Sequence, residues 1–186
     1  MSHRGPIGRA SFAAGTLLAC GFCISAAAAV VTVVSDGCTI REKVHIAASP
    51  AQVYEALVRP AKWWNSEHTF SGDAANLTLD ARAGGCFCEK LPDGGSVLHM
   101  TVVAVFPGKS LTMRGALGPF QSQGVEGALS WVLTPAGDQT DLTLTYNLGG
   151  HLALEGGFDA WAGRADAMLA SQVELLRKYA EGTKAK

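Results

Sequence analysis

Alternation of hydrophobic and polar residues predicts that β-strands make up most of the chain. Residues 38–48 alternate well enough for a first strand. Further short alternating segments are separated by turn-forming sequences such as PDGG at 92–95. These segments are residues 76–82, 84–91, 96–106, 110–116, 127–134 and 140–148. Their connections are too short for crossover helices, so we predict an antiparallel sheet.

Two short helices are predicted directly after the first strand. Ser49 and Gln52 form a capping box with Pro50 in the first turn, and this helix must end before Pro60. The sequence PAKWW, residues 60–64, can begin a second short helix.

The C-terminal segment changes to a helical period. From Phe158 to Tyr179 apolar residues recur at helical spacing with charged residues between them, which predicts an amphipathic helix of about six turns. The only apolar surface on which this helix can lie is the sheet. We therefore predict an α+β domain over residues 38–181, in which a curved antiparallel sheet of about seven strands wraps around the long C-terminal helix.

The N-terminus differs from the rest of the chain. Two arginines precede a long apolar run, small residues occupy positions 25–29, and the first acidic residue is Asp36. This order is typical of a secretory signal peptide, so we predict cleavage of residues 1–29 and export to the periplasm or the medium. Two alternatives remain open. Residues 11–34 could act as an uncleaved membrane anchor, and LLAC, which ends at Cys20, resembles a lipobox.

The composition fits one globular domain and excludes some partners. The chain has 186 residues, 48% of them hydrophobic, with 15 basic and 16 acidic side chains. Because basic residues are not in excess, no nucleic-acid partner is expected. A membrane is expected as a partner only through the N-terminal segment. No cofactor is expected, because no phosphate loop, metal motif or nucleophile–base pair is evident.

Three cysteines follow the N-terminal segment: Cys38, Cys86 and Cys88. This odd, sparse set is not typical of a disulfide framework. A Cys86–Cys88 disulfide is disfavoured, because an extended strand holds the two Cα atoms about 6.6 Å apart. The two thiols and His99 could together bind zinc or copper, but three ligands without an evident fourth make a weak site. We therefore predict free cysteines on the outer sheet face and no metal.

The order of these segments resembles the SRPBCC superfamily, also called START-like or birch-pollen-allergen-like. The chain is most similar to the branch of polyketide cyclases/dehydrases and homologues of the heat-shock chaperone ATPase activator. The matching segments are ASPAQVYEAL, KWW, GGCFCEKLPDGG, VVAVFPGKSL, TDLTLTY and the final helix with Trp161, together spanning residues 40–181. The resemblance implies a helix-grip fold with a ligand cavity between the sheet and the long helix. Cys86 stands where members tend to carry an arginine, so no role of that arginine is transferred.

The hairpin around PDGG indicates which side chains face this cavity. If residues 92–95 form the loop, Cys88 lies opposite His99 and both point outward. The more apolar face, which we expect to line the cavity, holds Phe87, Glu89, Leu91, Leu98, Met100 and Val102. In these surroundings the pKa of Glu89 should rise, which makes Glu89 the candidate acid/base residue or anchor for a ligand hydroxyl. The alternative is an ordinary carboxylate paired with a basic neighbour.

Aromatic and polar residues elsewhere are further candidates for ligand contacts. Adjacent helical residues diverge by about 100°, so we expect one indole of the WW pair to pack beneath the first helix and the other, Trp64, to reach the cavity rim. His68 follows at the cavity mouth, Tyr146 offers a hydroxyl from the last strand, and Trp131 is most simply core. The predicted ligand-contact residues are Trp64, His68, Phe87, Glu89, Met100, Trp131 and Tyr146.

Three functions are compatible with these features. The first is an exported binding protein for a small hydrophobic or aromatic molecule. The second is a cofactor-independent acid/base enzyme of the polyketide cyclase type that uses Glu89 with help from Tyr146 or His68. The third is a protein-interaction module similar to the chaperone ATPase activators, whose cytosolic role fits an exported chain poorly. We rank them in that order.

Overall fold

The computed structural model describes Met1 and residues 29–182, where it shows the predicted α+β helix-grip architecture. The strands are β1 Ala29–Val34, β2 Gly37–Ile46, β3 Leu77–Leu79, β4 Cys86–Lys90, β5 Ser96–Phe106, β6 Ser110–Gly115, β7 Gly124–Ala136 and β8 Gln139–His151. The α-helices are α1 Pro50–Leu57 and α2 Gly157–Gly182. Short 3-10 helices occupy Pro60–Lys62, Ser66–His68, Ala74–Asn76, Pro92–Gly94 and Gly118–Ser122.

The sheet has eight strands rather than about seven in the described part of the chain. The additional strand is β1, which lies in the stretch predicted as the end of a leader or anchor. It pairs with β2 through the turn after Val34. The predicted lipobox and the rest of the predicted signal peptide and anchor lie outside the described residues. None of the described helices is long and apolar enough to cross a bilayer.

All strand pairs are antiparallel, in the order β1-β2-β8-β7-β6-β5-β4-β3. From β5 to β8 the strands follow one another as a meander, and β8 then pairs with β2 along its whole length, from Gly37 opposite Gly149 to Ile46 opposite Thr140. The segment between β2 and β3 therefore connects an inner strand with the far edge of the sheet. That segment carries α1 and both tryptophans of the WW pair.

Helix α1 forms as the capping signals predict. The Ser49 hydroxyl accepts from the backbone N–H of Gln52 at 3.4 Å, and the Gln52 side chain accepts from the backbone N–H of Ser49 at 3.0 Å. Pro50 occupies the first turn, where its missing N–H costs nothing. The helix ends at Leu57, before Pro60.

Helix α2 packs its apolar stripe on the sheet. Leu169 and Leu176 are completely buried, and each contributes about 1.5–3 kcal/mol relative to an exposed side chain. Gln172 is also fully buried, and its side-chain oxygen accepts from the backbone N–H of Asn65 at 2.9 Å. This hydrogen bond ties the middle of α2 to the loop that carries the tryptophans.

A β-bulge between β4 and β5 corrects the predicted faces of this hairpin. Phe87 pairs with Met100, but Cys88 pairs with Leu98, so His99 is an extra residue without a partner across the ladder. As a result His99 and Met100 are both buried, whereas Leu98 is 59% exposed. The predictions that Leu98 faces the cavity and that His99 faces outward were therefore wrong, because simple alternation does not anticipate a bulge.

The prediction of free cysteines at 86 and 88 was also wrong. The two form a disulfide, and their Cα atoms are 5.4 Å apart instead of the 6.6 Å expected for a regular strand. This distance lies within the range that a disulfide needs. Cys38 is free and buried.

Candidate functional site

A cavity of about 740 Å³ lies between the N-terminal half of α2, the 3-10 helix Gly118–Ser122 and the β4–β5 end of the sheet. This volume is within the range of small-molecule sites, about 300–1,000 Å³. Its lining is mostly apolar, with a few polar groups. The lining residues are Trp64, Glu67, His68, Thr69, Phe70, Phe87, His99, Leu117, Gly118, Pro119, Phe120, Gln121, Ser122, Tyr146, Trp161, Arg164, Ala165 and Met168.

One wall of the cavity is built by the segment after α1. The Trp64 ring lies 5.3 Å from that of Phe87, and its indole N–H donates to the carbonyl of His68 at 3.0 Å. The Trp63 ring centre lies 5.4 Å from that of Trp64, but Trp63 donates to the carbonyl of Ala56 in α1 at 2.9 Å and packs edge-on against Trp131. The adjacent indoles thus serve different regions, one the cavity and the other the seam beneath α1, as their divergence predicts.

The opposite wall of the cavity is formed by α2 and the 3-10 helix Gly118–Ser122. The Trp161 and Phe120 rings meet edge to face at 6.1 Å. The Arg164 guanidinium lies 4.7 Å above the centre of the Trp161 ring, a cation–π arrangement that keeps the charge at the cavity edge. Both walls therefore present aromatic faces to the space between them.

Glu89 and His99 form a buried pair beside the cavity. Their Oε2 and Nε2 atoms are 3.0 Å apart. The carboxylate also accepts backbone N–H groups from Phe70 at 3.1 Å and from Ser71 at 2.5 Å. His99 lines the cavity and Glu89 does not, so the carboxylate reaches the cavity only through the imidazole.

The predicted rise in the pKa of Glu89 does not occur. Burial does raise it, but the hydrogen bonds from Ser71, Phe70 and His99 favour the carboxylate more strongly, and the net pKa lies below its ordinary value. Glu89 is therefore ionised at neutral pH. It is a fixed negative charge rather than a proton donor.

His99 is held in one protonation state by this neighbour. Burial lowers the pKa of His99 more than the hydrogen bond and charge of Glu89 raise it, so the ring is neutral at neutral pH. An ionised carboxylate can only accept, so the single ring proton must be on Nε2. Nδ1 then carries a lone pair.

Tyr146 contributes a hydroxyl to the cavity wall. Its oxygen accepts from the backbone N–H of Leu117 at 3.1 Å, and its own hydrogen is free to donate. Burial raises the pKa of Tyr146 well above its ordinary value, so the phenol stays protonated.

The structure brings together four of the seven predicted ligand-contact residues, because Trp64, His68, Phe87 and Tyr146 all line the cavity. Glu89 lies behind His99. Met100 and Trp131 belong to the core instead, each 1% exposed and outside the cavity lining. The catalytic role of Glu89 stays a prediction.

Several lining residues escaped the sequence analysis. His99 was assigned to the wrong face because of the bulge. The amphipathic pattern placed Trp161 and Met168 on the packed side of α2, and nothing in that pattern distinguishes a cavity wall from core. Phe70, Phe120 and Gln121 lie in segments without periodicity, where no signal marks them.

The considered Cys86–Cys88–His99 metal grouping is not formed. The two sulfurs are bonded to each other, and His99 pairs with Glu89 on the cavity side. Over the described residues, no group of three His, Cys, Asp or Glu side chains is arranged to hold a metal ion.

Comparison with solved structures finds the same fold at low identity. A conserved protein of unknown function from Enterococcus faecalis is 16% identical with a TM-score of 0.58, covering 83% of this chain and 77% of that one. The di-domain ARO/CYC StfQ from the steffimycin biosynthetic pathway is 15% identical with a TM-score of 0.56, covering 80% and 52%. The Aha1 dimer from Colwellia psychrerythraea is 19% identical with a TM-score of 0.51, covering 79% and 98%. No curated protein matches the chain.

The family comparison covers most of the chain. Residues 37–181 match the model described as polyketide cyclase/dehydrase and lipid transport. This range begins at β2 and ends one residue before the end of α2, so it includes every element that lines the cavity. The chain therefore belongs to the polyketide cyclase/dehydrase and lipid transport family of the SRPBCC superfamily.

Proposed function

We propose that the protein binds a small hydrophobic or aromatic molecule in the cavity between the sheet and α2. The observation that carries this proposal is a space of about 740 Å³ with aromatic rings on both walls and few polar groups. Burial of an apolar ligand in such a space contributes roughly 25 cal/mol per Å² of apolar surface. The family description, which includes lipid transport, is compatible with this activity.

Export is part of the proposal. The basic and then apolar N-terminal sequence supports it. The Cys86–Cys88 disulfide adds independent support, since disulfides persist mainly in oxidising compartments. Fractionation of cells that express the full chain, followed by mass determination of the product, tests both export and cleavage. Full-length protein in the cytosol would contradict this part.

Binding is tested with an apolar aromatic probe, 1-methylnaphthalene, by isothermal titration calorimetry. Ala165 lines the cavity from α2, whereas Ala167 is exposed on the same helix. Ala165→Phe places a ring in the cavity and should weaken binding at least tenfold, and Ala167→Phe should bind as the unaltered protein does. Equal affinities of the two variants, or no binding by the unaltered protein, would refute the proposal.

A second candidate is the acid/base enzyme, which the Glu89–His99 pair at the cavity wall favours. In this case His99 is the base that contacts the substrate, and Glu89 orients its ring and stabilises the imidazolium. Glu89→Gln should then abolish turnover of a poly-β-ketone substrate while binding of 1-methylnaphthalene survives. Unchanged turnover in this variant would remove the enzyme candidate.

A further inference from the structure

His99 presents a hydrogen-bond acceptor to a cavity that is otherwise mostly apolar. Its Nε2 is bonded to Glu89, which lies outside the cavity lining. Its Nδ1 lies 3.5 Å from the side-chain nitrogen of Gln121, which does line the cavity. Nδ1 is therefore the ring nitrogen on the cavity side.

The contact between Gln121 and Nδ1 is weak. At 3.5 Å it is at the limit of a hydrogen bond, and the same amide nitrogen donates to the carbonyl of Leu98 at the shorter distance of 3.2 Å. A ligand donor can therefore take the Nδ1 lone pair without leaving Gln121 unsatisfied. The Nδ1 atom of His99 is therefore available to accept a hydrogen bond from a ligand.

The aromatic side chains around His99 are suited to an aromatic ligand. The ring centres of Phe87 and Phe70 lie 4.9 Å and 5.9 Å from the imidazole, and Trp64 packs against Phe87 at 5.3 Å. Phe70 is 56% exposed and lines the cavity, so part of its ring is accessible to a ligand. A planar ligand can lie among these rings with one edge at Nδ1.

The acceptor is pre-oriented and cannot easily become a donor. The backbone N–H groups of Phe70 and Ser71 fix the Glu89 carboxylate, and this carboxylate fixes the Nε2–H tautomer of His99. A ligand with its own donor satisfies Nδ1, whereas a ligand with only an acceptor leaves two lone pairs facing each other. The site therefore favours a ligand that carries a hydrogen-bond donor over a ligand of the same shape that carries only an acceptor.

We infer that the cavity selects hydroxylated aromatic molecules, and that His99 Nδ1 accepts the hydrogen bond of the aromatic hydroxyl while Glu89 holds the required tautomer. This inference rests on the proposed binding function and names its ligand class. Glu89 is a positioning residue in this arrangement. The hydroxyl is recognised and no bond in the ligand is broken.

The test compares two probes of nearly the same shape, 1-naphthol and 1-methylnaphthalene, by titration calorimetry at pH 7. The unaltered protein should bind 1-naphthol about five- to tenfold more tightly, the gain expected from one net hydrogen bond. His99→Phe should retain 1-methylnaphthalene binding and lose the preference. His151→Phe, which changes an exposed histidine outside the cavity lining, should keep it.

The outcomes separate the two proposals. If neither probe binds, the binding function fails and the inference fails with it. If 1-methylnaphthalene binds but 1-naphthol has no advantage, only the inference fails. Persistence of the preference in His99→Phe, or its loss in His151→Phe, would show that the preference does not depend on His99 and overturn the inference.

A spectroscopic measurement on the unaltered protein covers the case in which His99→Phe does not fold. In a ¹⁵N-detected imidazole spectrum, His99 should show a protonated Nε2 and an unprotonated Nδ1. Addition of 1-naphthol should move the Nδ1 resonance, and 1-methylnaphthalene should leave it in place. A protonated Nδ1 in the free protein, or no movement with 1-naphthol, would overturn the inference.

Discussion

Two buried glutamates in this protein have opposite acid–base behaviour. Glu89 on β4 is 1% exposed and Glu42 on β2 is 2% exposed. The pKa of Glu89 is lowered although burial raises it, because Ser71, Phe70 and His99 donate hydrogen bonds to the carboxylate. The pKa of Glu42 is raised to about 8, first by burial and then by the neighbouring carboxyl of Asp166 on α2.

The difference shows that burial alone does not decide the charge of a carboxyl group in this fold, because donors offset it at Glu89 and a second carboxyl reinforces it at Glu42. The Glu42 Oε1 and Asp166 Oδ1 atoms are both buried, and no donor of another described residue reaches either of them, so the two carboxyls can pair only by sharing a proton. Because no donor stabilises the carboxylate, burial of Glu42 costs less free energy when the group is protonated. Glu89 keeps its charge and can orient His99, whereas Glu42 is neutral at pH 7 and lies outside the cavity lining.

The largest expected effect is that of Glu89→Gln, which should lower the free energy of unfolding by about 2–3 kcal/mol. The amide has one oxygen fewer to accept from Phe70, Ser71 and His99, so a buried N–H group loses its partner. Chemical denaturation at pH 7 measures the loss. Glu67→Gln, at an exposed position, is the control and should change stability by less than about 0.5 kcal/mol. Equal effects of the two variants would remove the contrast drawn between Glu89 and an ordinary carboxylate.

The same substitution at position 42 should act in the opposite direction. The native protein keeps a proton on Glu42 that the unfolded chain releases above pH 4.5, so this group favours folding fully below pH 4.5 and loses that contribution as the pH rises through about 8. Glu42→Gln cannot ionise and should be more stable than the unaltered protein by about 1–3 kcal/mol at pH 9, with little difference at pH 4.5.

A series of denaturation curves between pH 4.5 and pH 9 checks this sign. The two proteins should diverge as the pH rises, and Glu174→Gln, an ion-paired surface glutamate, should not reproduce the effect. Parallel curves for Glu42→Gln and the unaltered protein would mean that Glu42 titrates alike in the folded and unfolded states.

The positions of both glutamates follow from the sequence, but their charge states do not. Alternation puts Glu42 on the face of Ile40 and Val44, and Glu89 on the face of Phe87, and both are indeed buried. The donors that ionise Glu89 come from a loop 18 and 19 residues earlier in the chain. Such a contact is set by tertiary packing, and no local pattern encodes it.

The wrong faces predicted for Leu98 and His99 have one local cause. Periodicity predicted the strands, α2 and the sheet faces, and the capping box predicted α1, because these depend on near neighbours in the chain. A single inserted residue in β5 reverses the alternation from that point, which moved His99 inward and Leu98 outward. Regular strand geometry also failed to anticipate the Cys86–Cys88 disulfide, whose Cα atoms are 5.4 Å apart.

A smaller effect is expected for the Cys86–Cys88 disulfide. This bond lies on β4 directly before Glu89, so it tests what stabilises the strand that carries this carboxylate. Replacement of both cysteines by serine should lower the free energy of unfolding by about 1–2 kcal/mol, the amount expected for so short a closed loop. Dithiothreitol should cause a similar loss in the unaltered protein and none in the double-serine variant, which is the control. Insensitivity of the unaltered protein to dithiothreitol would mean that the bulge holds without the bond.

The smallest expected effect on stability is that of a carboxylate that has a hydrogen-bond donor but is exposed to solvent. Glu126 on β7 and Arg114 on β6 form an ion pair at 3.4 Å, with side chains 66% and 60% exposed. If donors matter mainly where water is excluded, this pair contributes about 0.2–0.5 kcal/mol, because water replaces either partner at little cost. A double-mutant cycle with Arg114→Ala and Glu126→Ala, measured by denaturation at low and high salt, gives the coupling energy, which should shrink as salt rises. A coupling energy above about 1 kcal/mol would show that donors stabilise carboxylates as strongly at the surface as in the interior. The behaviour of Glu89 would then owe nothing to its buried position.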